Sequence, residues 1–261
     1  MVFVSHLVEC IKKDFSDSIN NSIIDDLRVG VIYTGIKLCD GYGGMAATYL
    51  DSSKLHCNTL PSAGNLSGIK ANELLEIADS RSMLQRGVGI ATINAITQQI
   101  YATEVNAFDR SSLDILDLID EGDKVTMVGH FAPLVPKILK KVSALYVAEK
   151  RGLDDSRLIA VDEESLRETI SSSDVAIITA SSLVNGTIDD FLDVIPQASK
   201  AVLLGPSCPL YPDPFFEKGF TAVMGTEITD ADLMLDIVSQ AGGTPQVLKT
   251  CGKKVSFVAK D

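Results

Sequence analysis

The pattern of apolar and polar positions changes character near the middle of the chain. Beyond it, short apolar runs at residues 125–128, 144–147, 158–161, 175–179, 202–204 and 221–224 read as strands. Between them, apolar residues recur every three or four positions over 134–142, 163–170, 188–195 and 230–240, the spacing of helices. The runs VAIIT and AVLLG are apolar without interruption, as parallel strands covered on both faces should be. Thr187 and Thr229 stand where helix N-caps belong, each followed by acidic residues. Gly242-Gly243 closes the last helix, and residues 254–258 read as a final edge strand. This alternation predicts an open, doubly wound, Rossmann-like parallel sheet with right-handed crossovers.

The clearest unit is residues 125–149, read as strand, tight turn, short helix and strand. Gly129 ends its first strand, and His130-Phe131-Ala132-Pro133 fills the loop where a ligand would sit. Pro133 keeps Ala132 out of the helical region, so the helix begins at or after it.

The first half has a different pattern. Residues 1–20 carry Leu7, Val8, Ile11 and Phe15 at helical spacing and predict one amphipathic helix. A loop follows at Asn20-Asn21-Ser22 and Asp25-Asp26. Residues 28–38 read as a strand with Val29, Val31 and Tyr33 on one face. The Asp40–Gly44 cluster turns the chain, and 45–50 pairs back as a hairpin. After a polar loop at 58–68, helices are predicted over 70–79 and 82–101. In the second of these, Gly87, Gly89, Ala91 and Ala95 are small enough to let another element approach closely. Residues 108–121 read as a linking helix whose acidic end opposes the helix dipole. The expected organisation is a smaller α+β domain over 1–106 followed by the Rossmann-like domain over 107–261.

Composition narrows the function classes. The 261 residues carry a formal net charge of −12, which offers no basic face for nucleic acid and disfavours anionic membrane. The five cysteines, Cys10, Cys39, Cys57, Cys208 and Cys251, form no CxxC pair, and His6, His56 and His130 form no HxxxH pair. No zinc or iron–sulfur framework is read from them. The start lacks the features of a signal peptide, and no apolar run approaches the length of a membrane span. The expectation is a cytoplasmic protein with a small-molecule partner. A homodimer is compatible with it, and no cofactor or metal is named.

Candidate chemistry collects where the predicted parallel strands end. Gly129, His130 and Phe131 follow the first strand and Glu149 the second. Ser181, Asn185 and Thr187 follow the fourth, and Pro206, Ser207 and Cys208 the fifth. Ligands of open α/β sheets bind at that edge. The first loop is VGHFAPL, not GxGxxG, because Phe131 replaces the glycine that lets a pyrophosphate approach. Glu149 lies 20 residues beyond Gly129, the distance at which an acidic residue takes ribose hydroxyls, or it is a solvated charge. His130 is either a general acid/base or a loop histidine stacked on its neighbours. Asn185-Gly186-Thr187 serves a ligand or merely turns the chain, and Cys208 is a nucleophile only if something activates it. In the first half, Asp40, Gly44 and Asn94 are the positions that could reach across to this edge. An asparagine inside an apolar helix needs a partner.

Five segments, in order, carry a family resemblance: IYTGIKLCDGYGGMAATY, GVGIATINAI, VTMVGHFAPLVPKI, VAIITASSLVNGTIDDFL and VLLGPSCPLYP. Together they resemble the "putative heavy-metal chelation" family, over nearly the whole chain. The resemblance implies an enolase N-terminal-like domain followed by a Rossmann-like domain. It further implies a cleft between them suited to binding, condensing or hydrolysing a pterin-, flavin- or siderophore-like molecule. Two alternatives stand beside this: an enzyme using a nucleoside cofactor, S-adenosylmethionine or NAD, and a heavy-metal binding or carrier protein without catalysis.

Overall fold

The computed structural model describes residues 2–50, 58–104, 110–150, 152–195 and 200–260. Two sheets organise the chain. The first is antiparallel, with strands β1 (Ile24–Val29), β2 (Tyr33–Leu38) and β3 (Gly43–Ala47) in that order. The second contains β4 (Lys124–Val128), β5 (Ala144–Ala148), β6 (Ile159–Ala160), β7 (Val175–Thr179), β8 (Lys200–Leu204), β9 (Ala222–Ile228) and β10 (Gly252–Val258). Its order is β10-β9-β8-β7-β4-β5-β6, parallel throughout except for β10, which pairs antiparallel to β9 at the edge. The chain runs outward from β4 to β6 and then returns to place β7 on the other side of β4. The topological switch point is therefore the gap between the ends of β4 and β7.

Alternate residues of the second sheet enter two cores. Val125, Met127, Val175, Ile177 and Val202 face one, and Val128, Ala176, Ile178 and Leu203 face the other. The second of these cores does not stop at the C-terminal half. It continues through Phe3, Leu7, Ile36, Ile93 and Ile96, so the N-terminal half packs on this face of the parallel sheet, together with Leu166, Ile170 and Phe215 of the C-terminal half.

The helices of the N-terminal half are α1 (Val2–Asp14), α2 (Ser16–Asn21), α3 (Ala71–Leu75) and α4 (Met83–Thr103). The central one is α4, buried along most of its length. A Cβ on Gly44 would lie 2.2 Å from Ala95 N and 2.4 Å from Ala91 O, so β3 lies directly on the α4 backbone. A Cβ on Gly89 would lie 2.4 Å from Ala78 Cα, so the turn after α3 is equally close. Asn94, Thr97 and Gln98 of α4 bond to main chain of the other half, and Asn94 bonds to β3 as well. Asn94 Nδ2 donates to Met45 O at 2.7 Å and to Pro206 O at 3.3 Å, and Thr97 Oγ1 accepts from Leu210 N at 3.2 Å. The Gln98 amide bonds both backbone groups of Ile228, accepting from its N–H at 2.7 Å and donating to its carbonyl.

Several expected elements are shorter or broken. The first predicted helix becomes α1 and α2, because Phe15 leaves the helical path at φ −133° and packs edge-on against Tyr211. The strand predicted over 28–38 is two strands with a turn at Gly30, whose Cβ would meet Val238 O at 2.1 Å. Asp25 and Asp26, expected in a loop, belong to β1, and Gly43 and Gly44 belong to β3 instead of a turn. Helical structure expected over 70–79 is limited to α3.

The linking helix predicted over 108–121 is, from residue 110 onward, only a 3-10 turn at Ile115–Leu118. Its acidic side chains compete for the backbone: Asp117 accepts from Asp114 N and Asp123 from Asp120 N. Residues 108 and 109, and the boundary expected at 106–107, lie outside the described residues, as do His56 and Cys57.

In the C-terminal half the helices are α5 (Val135–Ile138), α6 (Leu166–Ser171), α7 (Ser182–Asn185), α8 (Asp213–Phe216), α9 (Ala231–Ser239) and α10 (Thr244–Thr250). The helix expected at 188–195 is a 3-10 turn, Thr187–Asp190. Gly242-Gly243 is followed by α10 and so does not close the last helix, and Asp230, not Thr229, caps α9 by accepting from Leu233 N.

The Gln98 bonds generate a prediction. Gln98→Met keeps the volume but leaves both Ile228 backbone groups unpaired, so unfolding free energy should fall by about 3 kcal/mol. Urea unfolding measures this, and a loss below about 0.5 kcal/mol would show that the amide contributes nothing to stability.

Candidate functional site

The carboxyl ends of the parallel strands open into a cavity of about 1230 Å³. Its floor is the row of strand ends: Val128–Phe131 after β4, Ala148–Lys150 after β5, Thr179 and Ser181 after β7, Leu204–Ser207 after β8. Its roof comes from the N-terminal half through residues 31–33 and 47–49, and from α10 through Thr244, Pro245 and Leu248. At the rim, Val31 is 69% exposed and Ile32 42%.

Roof and floor are bonded together. Tyr33 Oη and Thr244 Oγ1 are 2.7 Å apart, Tyr49 Oη donates to Ser181 Oγ at 3.2 Å, and Ser207 Oγ accepts from Ala47 N at 2.9 Å. Burial pushes the Tyr33 phenol above its ordinary pKa. The floor is shaped by glycines in the left-handed region, Gly129 at φ +89° and Gly205 at φ +131°. A Cβ on Gly129 would press on the Thr179 side chain at 3.1 Å, across the switch point.

Of the residues singled out from sequence, Gly129, His130, Phe131, Glu149, Ser181, Asn185, Thr187, Pro206 and Ser207 all line this one cavity. Glu149 accepts from His130 N at 3.1 Å, which joins the ends of β4 and β5. His130 is exposed, and nearby Asp155 is held down to about 2 by its hydrogen bonds from Arg157. Phe131 is half-buried and its N–H points at Met127 Sδ, 3.4 Å away. Asn185 Oδ1 accepts from both Thr187 N and Thr187 Oγ1, so this pair forms its own turn at the cavity wall.

Four others lie elsewhere. Asp40 is exposed and accepts from Gln99 Nε2. Gly44 is pressed onto α4. Asn94 is buried behind the floor; its Oδ1 is without a hydrogen-bond partner because Nδ2 is spent on two carbonyls. Turning the amide over would set an oxygen against both carbonyls, a greater cost. Cys208 is 1% exposed and desolvation pushes its thiol far up, so it is a core residue and not an activated nucleophile.

Sequence reasoning missed Tyr33, Tyr49, Thr179 and Thr244. Thr179 was the one with a signal, as a polar residue ending an apolar strand. The cavity wall also carries Asp114, Asp162, Glu163 and Asp190 together with Lys150, Arg167 and Lys254, so charges of both signs surround it. Lys254 Nζ lies 3.7 Å from Asp114, and Arg167 reaches Asp193 at 2.7 Å. Among the described residues, no three His, Cys, Asp or Glu side chains are grouped to hold a metal ion. None of the described helices is long and apolar enough to cross a membrane.

Family models match both halves of the chain. Residues 112–257 match DUF364 and residues 12–97 match DUF4213, each described as "Putative heavy-metal chelation". The chain belongs to this family. An uncharacterized protein of Methanocaldococcus jannaschii is 32% identical over 222 residues, covering 82% of this chain and 80% of its own. Two DUF364 crystal structures, both of proteins with unknown function, share the fold. The one from Desulfitobacterium hafniense superposes with a TM-score of 0.79 at 20% identity, covering 98% of each chain. The one from Pyrococcus horikoshii gives 0.77 at 22% identity, covering 97% of this chain and 100% of that one. The DUF364 match spans all the strands of the parallel sheet.

The cysteines give a test. Native protein treated with iodoacetamide at about pH 8 should be modified at exposed Cys39 and not at buried Cys208 or Cys251 until it is unfolded. Peptide mass mapping reads this, and rapid native labelling of Cys208 would restore it as a reactive group.

Proposed function

We propose that this member of the family binds a small, ring-containing, metal-chelating metabolite of the pterin, flavin or siderophore kind in the cavity above the strand ends. The observation that carries the reading is the composition of the walls. Aromatic rings and hydroxyls from both halves, with the left-handed glycines of the strand ends, converge on one space, with no grouped set of metal ligands among the described residues. Any metal would then be held chiefly by the small molecule. In a condensation or hydrolysis, His130 is the group at the edge that would move a proton, with Glu149 holding its backbone.

The geometry favours this over a dinucleotide cofactor such as NAD. The helix after β4 has four residues, and the amides of Leu134 and Val135 already donate to Phe131 O. A pyrophosphate thus finds no open helix N-terminus at the first loop.

A thermal-shift screen with pterins, flavins, siderophores and S-adenosylmethionine tests the reading. A ligand present at about a hundredfold its dissociation constant should raise the melting temperature by about 5 °C or more. The rise should shrink in His130→Ala and Glu149→Ala. Shifts that persist unchanged in both variants would place the ligand elsewhere.

A further inference from the structure

Strand β9 has an unfinished edge at the cavity. Gly205 N donates to Met224 O at 3.0 Å, and there β8 stops following β9. Continuing the parallel ladder would bring the Thr226 N–H to Gly205 O. That carbonyl is taken by Cys208 N at 3.0 Å, because Gly205, at φ +131°, turns the chain into the loop after β8. Strand β10 does not serve Thr226 from the other side. Ser256 O accepts from Ser111 N, so Ser256 and, by alternation, Lys254 turn their backbone groups away from β9. Their partners in the register, Met224 and Thr226, therefore point their own backbone groups toward the β8 side. Neither the N–H nor the C=O of Thr226 has a hydrogen-bond partner among the described residues. Thr226 lines the cavity, with Gly205, Pro206 and Ser207 across the gap from it.

Two residues further on, the same edge is completed by an amide. Gln98 Oε1 accepts from Ile228 N at 2.7 Å while Nε2 donates to Ile228 O. One planar group makes both bonds because an N–H lies on the same side as the C=O. We infer that the Thr226 main chain is the counterpart of that arrangement for the ligand. It takes an amide edge of the bound molecule, an N–H cis to a C=O, as in a lactam, an imide or a primary carboxamide. A carboxylate or an N-alkylated imide offers acceptors only and satisfies the Thr226 N–H but not its C=O. The assignment rests on reading the cavity as a ring-binding site, since pteridinedione and isoalloxazine rings carry such an edge.

The experiment titrates two pairs of fluorescent rings into the full chain, lumiflavin with 3-methyllumiflavin and lumazine with 1,3-dimethyllumazine. Within each pair, methylation removes the ring N–H and keeps the carbonyls. In at least one pair, wild type should bind the unmethylated ring about tenfold more tightly or better. With that ring bound, exchange of the Thr226 amide proton, followed by NMR, should slow about tenfold or more, and with its methylated counterpart it should slow less. Thr226→Pro deletes the donor without removing a ladder bond, because that N–H faces away from β10. It should weaken the unmethylated ring about tenfold and leave the methylated one within about threefold of wild type. Equal affinities within both pairs, an unchanged Thr226 exchange rate, or an equal loss of both rings in Thr226→Pro would each overturn the Thr226 assignment, and the cavity reading would stand. Binding of none of the four rings would overturn both.

Discussion

Asn94, Thr97 and Gln98 follow one another on one side of α4, and each hydrogen-bonds to main chain in the C-terminal half. These bonds answer a specific problem of the parallel sheet. Strand β8 pairs with β9 only as far as Met224, so the remainder of β9 has an edge with no strand neighbour on that side. A buried edge leaves backbone donors and acceptors unpaired at a cost of about 1–3 kcal/mol each. The Gln98 amide supplies the missing donor and acceptor at Ile228, and Thr97 Oγ1 supplies an acceptor for Leu210 N in the loop after β8. The helix thus acts as a substitute strand, and its polar residues are explained without invoking a ligand.

The cavity inherits its shape from that attachment. With α4 fixed to β9 and to the loop after β8, and Gly44 seating β3 on α4, the roof residues Tyr33 and Tyr49 have no independent position. Their hydroxyls are tied down on the far side at Thr244 and Ser181. Walls held this way need little further ordering when a ligand arrives, which lowers the entropic cost of binding. The one continuous apolar core through both halves resists hinge opening, so access is expected through the rim at Val31 and Ile32.

The parallel sheet was legible because its strands are continuously apolar and its connections carry helical spacing. Strands β4, β5, β7, β8 and β9 lie within a few residues of their expected places. The helices were overestimated for a local reason. Periodicity records which residues face the core, but Asp114, Asp117, Asp123 and Asn185 divert backbone amides to side chains, which periodicity does not see. The gathering of Gly129, Glu149, Ser181 and Ser207 followed from topology alone, since parallel strands end on one side. The roof was not legible. Tyr33 meets a threonine 211 positions away and Tyr49 a serine 132 away, and no local pattern encodes such pairs. Asn94 was read as reaching toward the other half, which it does, but through Pro206 O and from behind the floor.

The family's description concerns heavy metals, and soft metals select thiolate and imidazole. In this chain the thiols are poorly disposed to serve. Desolvation raises Cys208 and Cys251 above their ordinary pKa, and Cys10 is raised by desolvation and by the Glu217 and Asp14 carboxylates, all of which favours the protonated form that does not ligate. Cys39 is exposed and belongs to no group of metal ligands among the described residues. The carboxylates at the cavity wall are partly committed too, Asp114 to Lys254 and Glu149 to His130 N. A wall so disposed suits neutral donors, acceptors and ring faces better than a bare cation. In a protein built this way, chelating power belongs more naturally to the molecule the cavity holds than to the residues that hold it.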